Sequence, residues 1–316
     1  MREFKAIRPV YTYYFPEMQK LISEVTKVYP HDVFLKSIKP GLDDFEKPII
    51  KKMMDFYVDD VYGFEGFEFK YATSGSSEGI FHLLAKTKAQ TPDLPVYTLE
   101  GEYEGYREYG AGIGIKVKEI PEDVEAIRKL PLGIWFISNP SARNGNIISN
   151  EFIKQICEMG HRVVLDLAYL GLTQRYTFDV SHKNIVAVVT SMSKPFGLFY
   201  YRIGFLFARE EVKTLYGNKW FKNIFSLILA DRVFTKFSSD YFYNKYFRQQ
   251  EKVIKQIESE VGLKLKPSDA MLIAHLDQDD VEKLPKNKQK LVKGYKRKSW
   301  YRFCLTRYFL QRKEEL

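Results

Sequence analysis

Ile185-Val186-Ala187-Val188-Val189-Thr190-Ser191-Met192-Ser193-Lys194-Pro195-Phe196-Gly197-Leu198 joins an apolar, β-branched run to a polar loop that carries a lysine. Such a run reads as a strand buried on both faces. It has counterparts upstream. Arg162-Val163-Val164-Leu165-Asp166 is a second buried strand, ending in a carboxylate. Gly133-Ile134-Trp135-Phe136-Ile137 is a third, stopping at Asn139-Pro140. Val96-Tyr97-Thr98-Leu99 is short and β-prone, and residues 115–120 alternate. Helical patterns lie between them. Residues 44–57 carry apolar side chains at helical spacing, and residues 149–159 open with the N-cap formers Ser149 and Asn150. Residues 15–30 look helical up to Pro30, and Pro40-Gly41 marks a turn. Strands alternating with helices imply an α/β fold, a mostly parallel sheet sandwiched by helices. The pattern changes after Gly204-Phe205-Leu206-Phe207. Amphipathic helices are expected over about 208–260, then a strand-like Met271–Leu276, a basic region and an apolar segment from Trp300 to Thr306. This predicts a large domain over residues 40–207. A smaller α+β domain would be built from residues 1–39 and 208–316.

With 316 residues, 45% of them hydrophobic, the chain can bury a sizeable core. Aromatic residues make up 16%, which argues against disorder. The formal net charge is +9, with the excess concentrated from Lys283 to Lys313. A basic balance favours anionic partners, phosphate cofactors among them. The basic run is joined to no nucleic-acid module, so it reads as a solvated lysine-rich surface and nucleic acid is not expected as a partner. Cys157 and Cys304 allow no disulfide framework and read as reduced residues. No apolar run suits a signal peptide or a membrane span. A cytoplasmic protein without membrane contact is expected, and no metal site.

In open α/β sheets ligands bind beyond the carboxyl ends of the strands. Several polar residues of different chemistry fall there. A lysine at the end of an apolar strand is awkward on a surface, while burial lowers its pKa and makes it a usable amine nucleophile. Lys194 reads either so or as an incidental lysine at a strand-to-loop junction. Ser191, three residues before it, and Arg202, eight after, could hold a phosphate from two sides. Asp166 would be costly to bury unpaired. It reads as a partner for a cationic ring nitrogen, or as the cap of a loop. Tyr169 would point at the same place. Thr73-Ser74-Gly75-Ser76-Ser77-Glu78-Gly79 offers backbone N–H groups and hydroxyls at a helix start, a phosphate site in a common kind of loop. Tyr103, in Gly101-Glu102-Tyr103-Glu104-Gly105-Tyr106, could stack on a flat ring or simply pack.

Taken in order, these segments resemble the fold-type-I pyridoxal-phosphate enzymes, especially the class I/II aminotransferases. The resemblance runs from about residue 70 to 207, with an echo at 300–306. It implies the large domain of a type I pyridoxal-phosphate transferase, and pyridoxal 5′-phosphate as cofactor. By the resemblance, Lys194 carries the cofactor as a Schiff base, Asp166 partners the ring nitrogen and Tyr169 bonds the ring oxygen, these three being the catalytic residues. Ser76, Ser77, Ser191 and Arg202 would hold the phosphate, and Tyr103 would stack on the ring. Arg302, in Trp300-Tyr301-Arg302-Phe303-Cys304-Leu305-Thr306, would bind the substrate carboxylate. The family's Asn-Pro-Thr-Gly loop is replaced here by Asn139-Pro140-Ser141-Ala142-Arg143-Asn144-Gly145. Asn139 is preferred as the ring-oxygen contact; if Gly145 sets the register, Ala142 occupies that position instead. The implied activity is transfer of an amino group between an amino acid and a 2-oxo acid. A lyase, decarboxylase or cyclase with the same cofactor is the alternative. The resemblance also implies a homodimer, to which Tyr57 or Tyr62 would lend a phosphate contact across the interface.

Overall fold

The computed structural model of the chain describes residues 4–10, 13–27, 42–219 and 223–309. The helix end at Pro30, the turn at Pro40-Gly41 and the last lysine of the basic run, Lys313, lie outside the described residues.

Thirteen strands are formed among the described residues. In chain order they are β1 (Val61–Tyr62), β2 (Phe69–Thr73), β3 (Val96–Leu99), β4 (Val117–Ile120), β5 (Ile134–Ser138), β6 (Arg162–Leu167), β7 (Phe178–Asp179), β8 (Ile185–Ser191), β9 (Gly204–Ala208), β10 (Lys266–Pro267), β11 (Ile273–Asp277), β12 (Lys296–Arg297) and β13 (Trp300–Cys304). Seven make the main sheet, in the order β2-β9-β8-β6-β5-β3-β4. Pairing is parallel from β8 through to β4, and β9 runs antiparallel to both β8 and β2. A second sheet, β10-β11-β13-β12, is antiparallel throughout. The expected mostly parallel sheet sandwiched by helices is what the chain forms.

The period of two along a strand explains the sandwich. In β8, Ala187 and Val189 face one core, which holds Ile80, Leu83 and Leu84 of the helix Ser76–Gln90 together with Tyr106. Val188 faces the other core, with Ile153, Ile156 and Cys157 of the helix Asn150–Glu158. Apolar side chains on both faces are why these strands read as unbroken hydrophobic runs. The helix Asn150–Glu158 starts where its sequence says, Ser149 Oγ accepting the Phe152 N–H at 3.2 Å.

The long helical stretch expected after residue 208 is divided. A short 3₁₀ segment at Lys213–Lys219 precedes the helices Ile224–Lys236 and Tyr241–Val261. The first of these helices, expected with the smaller domain, packs against the large one: Phe234 lies 5.1 Å from Phe56 and 5.9 Å from Phe205, ring centre to ring centre. Apolar contact rather than chain order decided its place. One continuous apolar core, including Phe15, Val188, Phe205, Ile273 and Phe303, runs beneath both sheets.

Register then gathers the polar strand ends. Ser138 pairs with Asp166, Asp166 with Val189, and Ser191 and Thr73 both with Gly204. The carboxyl ends of β5, β6 and β8 therefore lie side by side along one edge. Phe205 sits fully buried behind that edge, and Phe205→Ala should cost about 3–5 kcal/mol. A urea titration will read this as a lower midpoint at unchanged slope; an unmoved midpoint would show that the two parts do not share a core there.

Candidate active site

A cavity of about 260 Å³ opens along this edge. Its wall includes Ser76, Ser77, Tyr103, Asp166, Tyr169, Ser191, Lys194, Arg202 and Arg302, nine of the ten residues expected at the site. Asn139 is the tenth and lies behind the wall.

Lys194 follows β8 by three residues and is only partly exposed, to the cavity. Its Nζ stands 4.8 Å from the centre of the Tyr169 ring and makes no hydrogen bond or ion pair among the described residues. Burial pulls its pKa down to about 8, while the Asp166 charge resists the fall and Arg302 and Arg202 add to it. Asp166, in β6, is buried. Its Oδ2 accepts the Tyr106 hydroxyl at 3.0 Å and its Oδ1 the Ala168 N–H at 3.1 Å. Burial pushes its carboxyl up to about 6, against the pull of Lys194 and the Tyr106 hydrogen bond. Burial also raises the Tyr169 phenol to about 12, opposed by Arg302. An amine and an acid thus face the same space, each moved by the same loss of water.

At one side of the cavity stands a cluster suited to an anion. The helix Ser76–Gln90 begins there, with its first backbone N–H groups unspent by helix bonds. Arg202 donates to Ser193 Oγ at 3.0 Å, Ser74 O at 2.9 Å and Ser77 Oγ at 3.4 Å. Ser191 Oγ accepts the Ser193 N–H at 3.2 Å. Gly75 takes φ +83°, and a Cβ there would lie 2.5 Å from the Arg202 guanidinium. Only glycine lets that guanidinium close down on the loop. Tyr103 covers the next part of the wall, edge-on to Tyr106 at 5.4 Å, with its hydroxyl 3.4 Å from that of Tyr109. Burial raises the Tyr103 phenol.

Across the cavity, β12 and β13 bring two arginines. Arg302 donates to Ala142 O through Nη1 and to Arg8 O at 2.8 Å through Nη2, and its Nε has no partner among the described residues. Burial lowers its pKa to about 10. Arg297 donates to Gly101 O and Glu102 O, each at 3.2 Å, and meets both carboxylate oxygens of Glu104 at 2.8 Å. Arg8 reaches Glu104 at 3.4 Å. Burial, the largest single influence, would raise the Glu104 carboxyl, but the Arg297 charge and hydrogen bonds, with a backbone hydrogen bond and the Arg302 charge, together hold it below the ordinary value.

Asn139 requires a correction. Its Oδ1 accepts the Ile148 N–H at 2.9 Å and its Nδ2 donates to Ile148 O at 2.7 Å. Both ends of the amide hold the loop, and Ala142 lines the cavity in its stead. Ala142 is the residue that the register set by Gly145 would put at the ring. Gly145 itself, at φ +82°, gives its N–H to Ser141 O at 2.7 Å. Sequence reading also missed Arg297, Glu104, Ser193 and Tyr106. Arg297 was hidden among surface lysines, and only the pairing of β12 with β13 marks it. Tyr106 carried a faint signal, a tyrosine three residues after Tyr103, at the start of the helix Gly105–Gly112.

The donor set fits one kind of group: an anionic phosphate against Arg202 and the serines, a flat ring beside Tyr103, a cationic nitrogen at Asp166 and an electrophile within reach of Lys194. This fold and this arrangement define the fold-type-I class of pyridoxal-phosphate proteins. The family model for aminotransferase class I and II matches residues 41–280, so the chain belongs to that family. The family is one of pyridoxal 5′-phosphate proteins, in accord with the cofactor expected from the sequence. The chain is 29% identical to histidinol-phosphate aminotransferase 2 of Archaeoglobus fulgidus over 205 residues, 60% of this chain and 58% of the relative. It is 24% identical to the histidinol-phosphate aminotransferase of a Thermotoga species over 246 residues, 76% of this chain and 68% of the relative. It thus spans about 60% of the length of the first curated relatives it matches. Among solved structures, a pyridoxal-phosphate-bound C–S lyase from Staphylococcus hominis superposes with TM-score 0.70 at 12% identity, covering 95% of this chain and 86% of the other. The histidinol-phosphate aminotransferase of Sinorhizobium meliloti, in complex with pyridoxal 5′-phosphate, superposes with TM-score 0.65 at 15% identity, covering 95% and 85%. These likenesses are of fold.

The shared cavity makes a prediction about the protein without cofactor. Labelling of Lys194 by an amine reagent, followed by mass spectrometry, should rise with pH through about 8, below the range of surface lysines. The Asp166 charge favours the ammonium form, so Asp166→Asn should move the rise to still lower pH. A profile like that of surface lysines, unaltered by Asp166→Asn, would separate the two groups.

Proposed function

We propose that the protein is a pyridoxal-phosphate-dependent aminotransferase that moves an amino group between an amino acid and a 2-oxo acid. The observation that carries this reading is the joint presence of Lys194, Asp166 and Arg302 on one cavity wall. When bound, pyridoxal phosphate supplies an aldehyde for the amino group and a ring that draws electrons from the α-carbon.

The chain's own residues do the rest. Arg202, Ser76, Ser77 and Ser191 hold the phosphate, helped by the N–H groups that open the helix Ser76–Gln90. Tyr103 flanks the ring. Asp166, as a carboxylate, keeps the ring nitrogen protonated, and the Tyr169 hydroxyl serves the ring oxygen, the place of the usual amide being taken by Ala142. Lys194 Nζ is the group that bonds the cofactor. Its free amine would be the base that takes the substrate's α-proton and returns it. An amine with a pKa of about 8 is divided between free base and acid near neutral pH, which suits a group that must do both. Arg302 takes the α-carboxylate with the guanidinium edge left by its two backbone bonds. Fixing that carboxylate orients the substrate, so that the bond to be broken stands across the ring.

The enzyme is proposed to act as a cytoplasmic homodimer. Both cysteines are buried and neither forms a disulfide, and no helix among the described residues is long and apolar enough to cross a membrane. Tyr57 is buried in its own core and Tyr62 is 60% exposed, so of the two Tyr62 is the one that can reach a neighbouring subunit.

Borohydride reduction of the protein loaded with pyridoxal phosphate should fix the cofactor on the peptide containing Lys194, and Lys194→Ala should abolish both the label and the visible absorption of the bound cofactor. Retention of that absorption would refute the assignment. Incubation with successive amino acids should convert the cofactor stoichiometrically to its pyridoxamine form, with release of the 2-oxo acid. Turnover without such conversion would mark a lyase, decarboxylase or cyclase instead. Arg302→Gln should raise the KM for the best amino acid about tenfold to a hundredfold, a loss of about 1.4–2.7 kcal/mol of binding.

A further inference from the structure

Tyr106 does not line the cavity, yet it touches the residue on which that site turns. It lies on the helix Gly105–Gly112 and is completely buried. Its ring is fixed edge-on against Tyr103 at 5.4 Å and tilted against Phe136 at 5.8 Å. That packing leaves the hydroxyl one partner, Asp166 Oδ2 at 3.0 Å. A phenylalanine would fill the same space. What the hydroxyl adds is a proton donated to a carboxylate.

The groups around Asp166 pull in opposite directions. Lys194, from the loop after β8, favours its charged form, as do the Tyr106 hydroxyl and the Ala168 N–H. Burial opposes them, and so does Glu102, from the loop after β3. Tyr103 and Tyr169 stand nearby as neutral phenols, with burial raising both. Glu102 is a second buried carboxylate, and it accepts the hydroxyls of Ser138 and Ser141 and the Ala142 N–H at 3.3 Å.

We propose that Tyr106 is a positioning residue for the reaction: its buried hydroxyl aims Asp166 at the cofactor's ring nitrogen and holds it as a carboxylate through the neutral pH range. This inference rests on the function proposed above. A donated hydrogen bond stabilises the ionised acid. Removing it therefore raises the pH below which Asp166 takes up a proton. With its pKa already at about 6, the acid has little margin. A neutral Asp166 cannot pair with a protonated ring.

The test compares wild type with Tyr106→Phe, both stripped of cofactor and both checked by thermal melting. Each is titrated with pyridoxal phosphate and with its 1-deaza analogue, which has carbon in place of the ring nitrogen, between pH 6.5 and 9. Tyr106→Phe should bind pyridoxal phosphate about tenfold more weakly at pH 6.5, with the difference closing at pH 9. The deaza analogue should bind both proteins alike at every pH. Matching pH profiles for wild type and Tyr106→Phe would overturn the proposal. So would an equal loss with both cofactors at all pH values, which is the signature of damaged packing. Installing 3-fluorotyrosine at position 106, one atom from native and a stronger donor, should shift the profile the opposite way, toward tolerance of acid. If Tyr106→Phe does not fold, an unshifted profile for the fluorinated protein overturns the proposal. If wild type binds pyridoxal phosphate without any link to Lys194, the proposed function fails and this inference fails with it. A normal wild type beside an unaltered Tyr106→Phe sinks this inference alone.

Discussion

The loss of water around Asp166 and Lys194 is the constraint on which the rest of the site depends. Burial drives each group toward its neutral form: even with the other's charge beside it, the acid rises to about 6 and the amine falls to about 8. Because they share one cavity, each charge limits the other's shift. The result is an amine that can give and take a proton near neutral pH, beside an acid that stays ionised there. Neither could be had on a solvated surface, where both pKa values would return to ordinary ranges.

That arrangement is why the sheet has its form. Parallel strands put their carboxyl ends on one edge, and β5, β6 and β8 are neighbours, so Ser138, Asp166 and the loop to Lys194 converge without long connections. The antiparallel β9 contributes from its amino end, bringing Arg202 back against the loop that holds Ser74 and Ser77. The smaller sheet then closes the cavity. Arg302 joins three pieces of chain, donating to the carbonyls of Ala142 and Arg8 from β13. The proposed carboxylate receptor is thus also a staple between the sheets and the segment near the N-terminus. Arg297 does similar work on the loop after β3, gripping Gly101, Glu102 and Glu104.

The exchange of Ala142 for an amide alters how the site is supported. The buried carboxylate of Glu102 holds the Ala142 N–H, Ser138 and Ser141 from behind, while Asn139 ties the loop to Ile148. The loop is held by bonds within the chain, and its contribution to the cavity is an apolar wall. Asp166 is likewise supported from behind, by Tyr106. Two buried hydrogen-bond networks, one on each carboxylate, meet beneath the same cavity.

The buried strands were legible in the sequence because parallel strands covered on both faces need apolar side chains on both, and β6 and β8 have them; the order of the strands in the sheet was not legible. Lys194 and Asp166 stood out in the sequence for the complementary reason, a charged group at or just past the end of such a run, and in the fold both line one cavity. Asn139 misled because its neighbours admit two registers, and only the fold of the loop, with Gly145 at positive φ, chooses between them. The packing of the helix Ile224–Lys236 against Phe56 and Phe205 was not legible, because an amphipathic pattern says that a face is buried, and not against what. Arg297, Glu104 and Tyr106 were invisible for a related reason. Their meaning lies in partners 193 and 60 residues away along the chain. The sequence by itself determined which segments must be buried and which charges would then need company. The tertiary structure alone decided who keeps that company, since distance in space, and not along the chain, sets the strength of a hydrogen bond or an ion pair.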